Sequence, residues 1–383
     1  MQRLSRIKQL GLTYLVYPGA QHSRLQHALG SMHLMNQTLE ILRYKGVVVS
    51  AEEAEAVTVA ILLHDAGHGP FSHTLERILV EGISHEILTV EIMQLLNREF
   101  DQQLSLAIEI FKGNYKKKYL HQLVSSQLDM DRLDYLNRDS FFSGVAEGII
   151  GYDRIIKMLT VRDNELLVES KGIYSIEKFL ISRRLMYWQV YLHKTVLAAE
   201  QMLIKVIQRA KEISAIRKLS ATGTLNYFLE KRFKSETPEQ ILLPFGDLDD
   251  SDIISSMKMW RYDDDKILSW LSGNLLSRKL FRVELRDKSI NEEEILILKK
   301  QLKHVSNLKE DELDYLVFSE STSNHAYSPD SGAINILYND GSIKDITTAS
   351  DLPNILALEQ PVIKYFLCYP KELKNNPDIA IAL

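Results

Sequence analysis

The sequence predicts a mainly α protein, a helical bundle with a smaller α+β C-terminal module. Three observations carry this. Over residues 1–215 apolar side chains recur at helical spacing, with few strand signals between them. A helix start is written out at Ser50, with Glu53 three residues on to complete a capping box. Beyond Phe281, short apolar runs bounded by turn residues take over, with Asn339-Asp340-Gly341 as a hairpin turn. The expected division is a helical core over 1–215, a helical extension over 216–275 and the α+β module over 276–383.

Composition narrows the class. The 383 residues are 45% hydrophobic and 25% charged, with a net charge of −5, which argues against a general nucleic-acid or membrane-surface protein. The one cysteine, Cys368, excludes an internal disulfide framework and fits a reducing cytosol. No apolar run approaches the roughly 20 residues that span a bilayer, and the N-terminus lacks the apolar core of a signal peptide. A soluble cytoplasmic protein is expected.

Met1–Leu10 reads as helical, with Leu4, Ile7 and Leu10 on one side and no capping sequence ahead, so either the start is abrupt or an upstream piece precedes it. Gly11 ends that segment, and Thr13–Tyr17 reads as extended, closed by Pro18-Gly19. A helix from Ser23 to Tyr44 carries Arg24 and His27 on one face. In the next helix Val57, Ala60, Ile61 and His64 share a face, so His64 projects toward the core. Asp65 sits beside it where Gly67, Gly69 and Pro70 break the helix.

Helices are expected over Thr74–Val80, His85–Asn97 and Asp101–Lys112. Ser84 caps the second and places His85 at the positive end of its dipole, where anions are favoured. Lys116–Lys118 reads as a solvated charge run. Gln127–Asp139 holds four acids and two arginines in helical register. Asp131, Asp134 and Tyr135 share a face there, and Tyr135 and Asp139 stand four apart. Such alternation normally means exposed ion pairs. Leu128, Leu133, Leu136, Phe141 and Phe142 instead suggest a helix packed on several sides, whose acids need partners such as a metal.

A hairpin follows, from Met158–Val161 to Glu165–Glu169 through Asp163-Asn164. One long helix, Ser175–Ser214, carries Arg183, Tyr187 and Tyr191 as a stripe, then His193-Lys194. Two or three short helices lie between Thr222 and Leu276. Phe281–Leu285, Leu316–Phe318, Ala333–Leu337, Ile343–Thr347 and Val362–Cys368 read as strands, Asn291–His304 as a helix and Ser319–Ser331 as a polar loop.

A single histidine on an apolar face is most simply a hydrogen-bonded core residue. Here His64, Asp65, His68 and His73 fall within ten positions, which weakens that reading. His27, His64, Asp65 and Asp131 come from three helices, and such side chains can converge in a bundle core. Their spacing alone is not that of a local metal motif.

Taken with Gln9-Leu10-Gly11, Tyr17-Pro18-Gly19-Ala20, His22–His27, Leu63–His73, Asp129–Asp139 and Arg183–Lys194, these residues resemble the HD-domain metal-dependent phosphohydrolase superfamily. Within it they are most similar to the deoxynucleoside triphosphate triphosphohydrolase (dNTPase) branch, over about residues 1–215. The resemblance implies an HD-domain catalytic core in which His27, His64, Asp65 and Asp131 hold one divalent metal per subunit. Mn, Mg, Fe, Co, Ni and Zn all suit such ligands.

By the same resemblance His73, His85 and Glu76 lie on the catalytic side. His85 matches the general acid, and Glu76 stands for an aspartate that pairs with histidine. Arg24 and His68 match phosphate-facing positions, Tyr135 and Arg183 phosphate contacts, Gln9 and Asp139 residues that bond the sugar 3′-hydroxyl, and Leu10 and Tyr191 residues packed on C2′. Tyr187 stands where the family has a nucleotide-contacting histidine. Ser5 replaces an arginine that reads guanine at an activator site, though Gln2 is retained, so the resemblance does not extend to activation by the same contacts.

The implied activity is cleavage of dNTPs at the α-phosphate to deoxynucleoside and inorganic triphosphate, by a homo-oligomer (dimer or tetramer) with neither nucleic acid nor membrane as main partner. Two alternatives stay open. One is another HD phosphohydrolase, acting on a nucleoside monophosphate, a cyclic nucleotide or an unusual nucleotide; the other is a nucleotide-binding regulatory protein with little turnover.

Overall fold

Two capping boxes set the first helices. Ser23 caps α1 (Arg24–Tyr44) reciprocally with Gln26, and Ser50 caps α2 (Ala51–Leu63) reciprocally with Glu53, as the sequence predicts. The structure is a computed structural model that describes residues 1–80, 82–230, 238–329 and 332–375; the side chains of His73, Arg77, Pro238, Glu239 and Asn375 lie outside the described residues.

The chain continues through α3 (His73–Leu79), α4 (His85–Glu99), α5 (Ser105–Phe111), α6 (Lys118–Val124), α7 (Met130–Ser143) and α8 (Tyr152–Met158). Next come the hairpin β1 (Leu159–Arg162) and β2 (Glu165–Glu169), then α9 (Ile173–Met186) and α10 (Lys194–Ser214). Four further helices follow, α11 (Gly223–Glu230), α12 (Pro238–Asp247), α13 (Asp250–Trp260) and α14 (Lys266–Leu276). The remainder is β3 (Arg282–Arg286), α15 (Glu292–Val305), α16 (Glu310–Leu313), β4 (Phe318–Asn324), β5 (Asn335–Leu337), β6 (Ile343–Asp345), α17 (Ile346–Ala349), α18 (Pro353–Ala357), β7 (Val362–Tyr369) and α19 (Glu372–Asn375). The fold is mainly α, and no helix among the described residues is long and apolar enough to cross a membrane.

Two sheets flank the helices. In one, the order is β1-β2-β5-β6, so the first hairpin is extended by a parallel pairing of β2 with β5. In the other, β7 runs between β3 and β4 with antiparallel pairing on both sides. The C-terminal residues therefore enter two cores. Phe366, Leu367 and Cys368 pack with α10 to α14, including the fully buried Trp260, whereas Tyr327, Ile336 and Ile346 pack with α1, α2, α7 and α9. Each large apolar side chain so buried contributes about 1.5–3 kcal/mol.

Four local differences from the sequence reading have physical causes. Residues 1–10 form a short 3₁₀ turn, Gln2–Arg6, then a bridge at Lys8 with Ser23 and a turn at 9–10, because Gln9 N donates to His22 O (3.0 Å) and Arg24 N to Ile7 O (3.0 Å). Pairing with the approach to α1 replaces continued helix. Thr13–Tyr17 is likewise not extended, since Gly11–Leu15 is a 3₁₀ turn that buries Leu12. The long helix from Ser175 breaks at a π-helical turn, Tyr187–Tyr191, where Leu192 N donates to Tyr187 O (2.7 Å), and His193 caps the new start. Residues 318–324, expected mostly as polar loop, are β4. Backbone pairing with the apolar β7 places that polar run at a sheet edge without needing apolar alternation. Asp330 and Ser331 of that expected loop lie outside the described residues.

The charge run Lys116–Lys118 is not simply solvated. Lys117 Nζ donates to Glu53 Oε2 and to Val48 O, each at 2.7 Å, and Tyr115 donates to Glu53 Oε1 at 2.7 Å. Burial opposes charge on Glu53, yet the hydrogen bonds from Lys117, Ser50 and Tyr115 win and lower its pKa below the usual 4.5. Its contribution is therefore present above pH 4.5 and lost as pH falls through the lowered folded value. Glu53→Ala should lower stability by about 1–3 kcal/mol at neutral pH. In urea titrations that gap should narrow toward acid; a gap equal at both pH values would assign it to packing instead.

Candidate metal and phosphate site

The apolar stripe of α2 carries Val57, Ala60 and Ile61 into the core, and His64 and Asp65 follow at its C-terminal end. From α1 comes His27, fully buried, and from the first turn of α7 comes Asp131. His27 Nε2 lies 3.3 Å from His64 Nε2 and 3.0 Å from Asp131 Oδ1, and His64 Nε2 lies 3.6 Å from the same oxygen. Asp65 closes the group, with Oδ1 3.4 Å from His64 Nε2 and Oδ2 3.8 Å from His27 Nε2.

The far side of each imidazole fixes which nitrogen faces this centre. His27 Nδ1 donates to Asp134 Oδ2 at 2.7 Å, and His64 Nδ1 donates to Ile61 O at 2.6 Å. A carbonyl and a carboxylate only accept, so both Nδ1 atoms carry protons and both Nε2 atoms point inward, each able to ligate a cation once it gives up any proton held there. Arg138 grips Asp134 with a fork at 2.8 and 2.9 Å. Two imidazoles and the Asp131 carboxylate, with donor atoms 3.0–3.6 Å apart, suit a divalent ion, and Asp65 stands beside them. Bonds of about 2.0–2.2 Å bring neighbouring ligands that close. The residues fit the group.

Charge in the cluster is tuned accordingly. Burial disfavours the imidazolium of His27, but hydrogen bonds and fields from Asp131 and Asp134 outweigh it and push its pKa up to about 10. Burial would raise Asp65, yet His64, Arg24 and His68 hold it well below the ordinary carboxylate range. Asp131 is lowered in the same way, burial being outweighed by its hydrogen bonds with His27 and His64. The carboxylates thus stay ionised at the centre of the bundle.

Beside this group Arg24 pairs with Asp65 and donates from Nε to Ser72 Oγ at 2.7 Å. His68 Nε2 lies 3.4 Å from Asp65 Oδ1, and its ring stacks on His85 with centroids 3.9 Å apart. Glu76 Oε1 accepts from the His85 backbone N (2.8 Å) and from His85 Nδ1 (2.7 Å), so Glu76 sets both the helix start and the ring. The side chain of His73 lies outside the described residues. Gly67 brings α4 close to the loop after α2. A Cβ there would stand 2.0 Å from His85 O, and Gly67 N instead donates to Thr89 Oγ1 at 2.9 Å.

On the other flank Asp139, almost fully buried, accepts from Tyr191 Oη and from His22 Nε2, each at 2.7 Å. Gln9 joins this flank through its backbone bond to His22, and its buried Oε1 has no partner among the described residues. Tyr191 is edge-on to Tyr187 (5.2 Å) and to Tyr135 (6.3 Å), and Leu10 packs half-buried on the same core as Tyr135 and Tyr191. Arg183 donates to Gln127 Oε1 at 2.8 Å, while its buried Nε has no partner among the described residues. Lys194 is exposed at the start of α10.

Sequence reasoning missed three residues here. Arg132, next to Asp131, pairs with Asp129 and keeps a buried Nε without a partner among the described residues. His22 backs Asp139 and stacks on Phe142 at 4.5 Å. Arg3 is buried and donates to Ala66 O (2.7 Å) and His68 O (2.8 Å), holding the loop between them. Arg132 was findable from its neighbour, and His22 opens the resembling segment His22–His27 without a role being read for it; Arg3 carries no pattern.

Residues 24–139 match the HD domain family and residues 150–241 the HD associated region. The chain is 31% identical to the uncharacterised protein YwfO of Bacillus subtilis, over 97% of this chain and 86% of that protein. It is 50% identical to a phosphohydrolase of Bacteroides thetaiotaomicron, whose crystal structure superposes with a TM-score of 0.92 over 96% of this chain and 92% of that one. It is 27% identical to a deoxynucleoside triphosphate triphosphohydrolase SAMHD1 homologue of Dictyostelium discoideum, over 56% of this chain and 45% of that protein.

Two measurements test the site. His27→Ala and Asp131→Ala should each bring bound metal, read by elemental mass spectrometry, well below one per chain with helical circular dichroism retained. Asp134→Asn keeps the candidate ligands and should weaken metal affinity about 10–100-fold; unchanged affinity would leave Asp134 a purely structural acid.

Proposed function

The chain belongs to the HD-domain family of metal-dependent phosphohydrolases, and from that premise we propose that it cleaves dNTPs at the α-phosphate, releasing deoxynucleoside and inorganic triphosphate. One juxtaposition supports this reading above others. The same bundle carries the metal-ligand group, a cationic, histidine-bearing cluster joined to it through Arg24 and Asp65, and a second cluster in which Tyr191 donates to the buried Asp139 beside Leu10.

When bound at His27, His64, Asp65 and Asp131, a divalent metal supplies Lewis acidity toward a phosphoryl oxygen and activates water. The chain's own residues do the rest. Arg24 and His68 face the negative charge of the phosphates, with Arg132 and Arg183 offering the two buried Nε–H groups. His85, oriented through Nδ1 by Glu76, gives the proton at Nε2 to the departing 5′ oxygen. The bond broken joins the α-phosphorus to that oxygen; the water oxygen leaves with the triphosphate.

Discrimination against ribose rests on the other flank. The Tyr191 hydroxyl already donates to Asp139, and Leu10 offers only carbon. A 2′-hydroxyl pressed on Leu10 and on the tyrosine ring exchanges its hydrogen bond to water for carbon, at a cost of about 1–3 kcal/mol. A different nucleotide on the same scaffold is favoured by one observation, the Tyr187 ring against Tyr191, where the dNTPase branch has a histidine.

Product chromatography after incubation with Mn²⁺ or Mg²⁺ and each dNTP or rNTP, singly and mixed, should show deoxynucleoside with intact triphosphate. Stepwise phosphate release, or equal ribonucleotide turnover, would move the assignment to another phosphohydrolase activity. His85→Ala should lower kcat by about 10²–10⁴-fold while nucleotide binding, read by calorimetry, is retained.

A further inference from the structure

The sugar-facing arm meets the phosphate-facing loop through Arg3 on Ala66 O and His68 O, through Ser72 Oγ on Lys8 O (3.4 Å), and through a carboxylate that belongs to neither. Asp250 is the first residue of α13, beyond both matched family segments, and it is buried. Its Oδ2 accepts from Lys8 N at 2.9 Å, and its Oδ1 accepts from Phe71 N at 2.8 Å. Lys8 leads directly into Gln9 and Leu10. Phe71 opens a strained pair, Phe71 and Ser72, both left-handed at φ 53° and 50°. Ser72 in turn receives Arg24 Nε, and Arg24 pairs with Asp65.

The helix itself does not use this carboxylate. Asp249 caps α13, accepting from Ser251 N at 2.8 Å and forming a capping box with Asp252, and it also pairs with Arg6. Burial pushes Asp250 up to about 6, opposed by its two amide hydrogen bonds and by Lys8. A buried acid with both oxygens on the backbones of two other segments acts as a cross-link between them.

We propose that Asp250 is a positioning residue that fixes the arm carrying Gln9 and Leu10 against the loop carrying Ser72, and so against Arg24. This rests on reading Gln9, Leu10 and Arg24 as nucleotide contacts. His27 and His64 are fixed by Asp134 on α7 and by Ile61 O on α2, and His85 stands on α4; none of these bonds runs through Asp250. Loosening the cross-link should therefore act on nucleotide binding more than on the chemical step.

The test compares full-length wild type, Asp250→Ala and Asp250→Asn. Hydrogen exchange without nucleotide should quicken at least about tenfold at the amides of both Lys8 and Phe71 in Asp250→Ala. Metal content and exchange in α1 and α7 should be unchanged. The near-isosteric Asn keeps one acceptor, so it should release one of the two amides, and it carries the test should the alanine variant not fold. With dNTP, KM should rise about tenfold while kcat changes by less than threefold. Protection retained at both amides, protection lost throughout the chain in both variants, or a fall in kcat without a KM change overturns the proposal. Paired loss of protection in a protein whose wild type turns over no dNTP leaves the cross-link standing and overturns the substrate reading.

Discussion

Everything in this structure depends on keeping ionised groups at the centre of a helical bundle. Burying a carboxylate or an imidazolium without partners is costly, so the helices that carry the ligands are packed through the partners themselves. Between α1 and α7 the contact is polar: His27 meets Asp134, and Asp134 meets Arg138. Gly30 makes room for it, since a Cβ there would stand 2.0 Å from Asp134 Oδ1 and 2.1 Å from an Arg138 nitrogen. Leu34, Leu133 and Leu136 then seal the surroundings. The α1–α7 spacing is thus set by the charged group, with the apolar core closing around it.

The loop after α2 shows the same constraint in its backbone. Its carbonyls at 66 and 68 meet the buried guanidinium of Arg3, whose pKa burial lowers to about 10. Its amide at Gly67 meets Thr89, and Thr89 in turn donates to His64 O at 3.1 Å. Distant segments of chain thereby fix one short turn, and with it the stacked rings of His68 and His85. Preorganisation of this kind is what stabilises developing charge without rearrangement during reaction.

Local patterns made much of this legible in sequence. Both the Ser50–Glu53 box and the Asp163-Asn164 turn are short-range devices, and the periodicity of α2 correctly sent His64 inward. What sequence could not show depends on long-range partners. Asp134 and Arg138 look like an exposed helical ion pair until α1 lies against them. Residues 7–9 look helical until they pair with the approach to α1. The stripe of Arg183, Tyr187 and Tyr191 assumes an unbroken helix, and the π turn at 187–191 re-aims Tyr191 toward Asp139. Arg3 carries no spacing signal, and Asp250 reads as one more acid in the run 247–252 until Lys8 and Phe71 fold onto it.

The re-aimed tyrosine carries the last step. Burial, then the charge of Asp139, drives the Tyr191 hydroxyl well above its ordinary pKa, so it stays protonated and stays a donor to Asp139. Asp139 is held from its other oxygen by His22, itself pinned on Phe142. A hydroxyl committed in this way cannot swing to satisfy a ribose 2′-oxygen without leaving a buried carboxylate short of a donor. On the proposed reading, selectivity for deoxyribose therefore comes from the rigidity of a hydrogen-bonded wall. The hydrogen bond to Asp139 keeps the tyrosine ring in place, so a 2′-hydroxyl pressed on that ring and on Leu10 trades water for carbon.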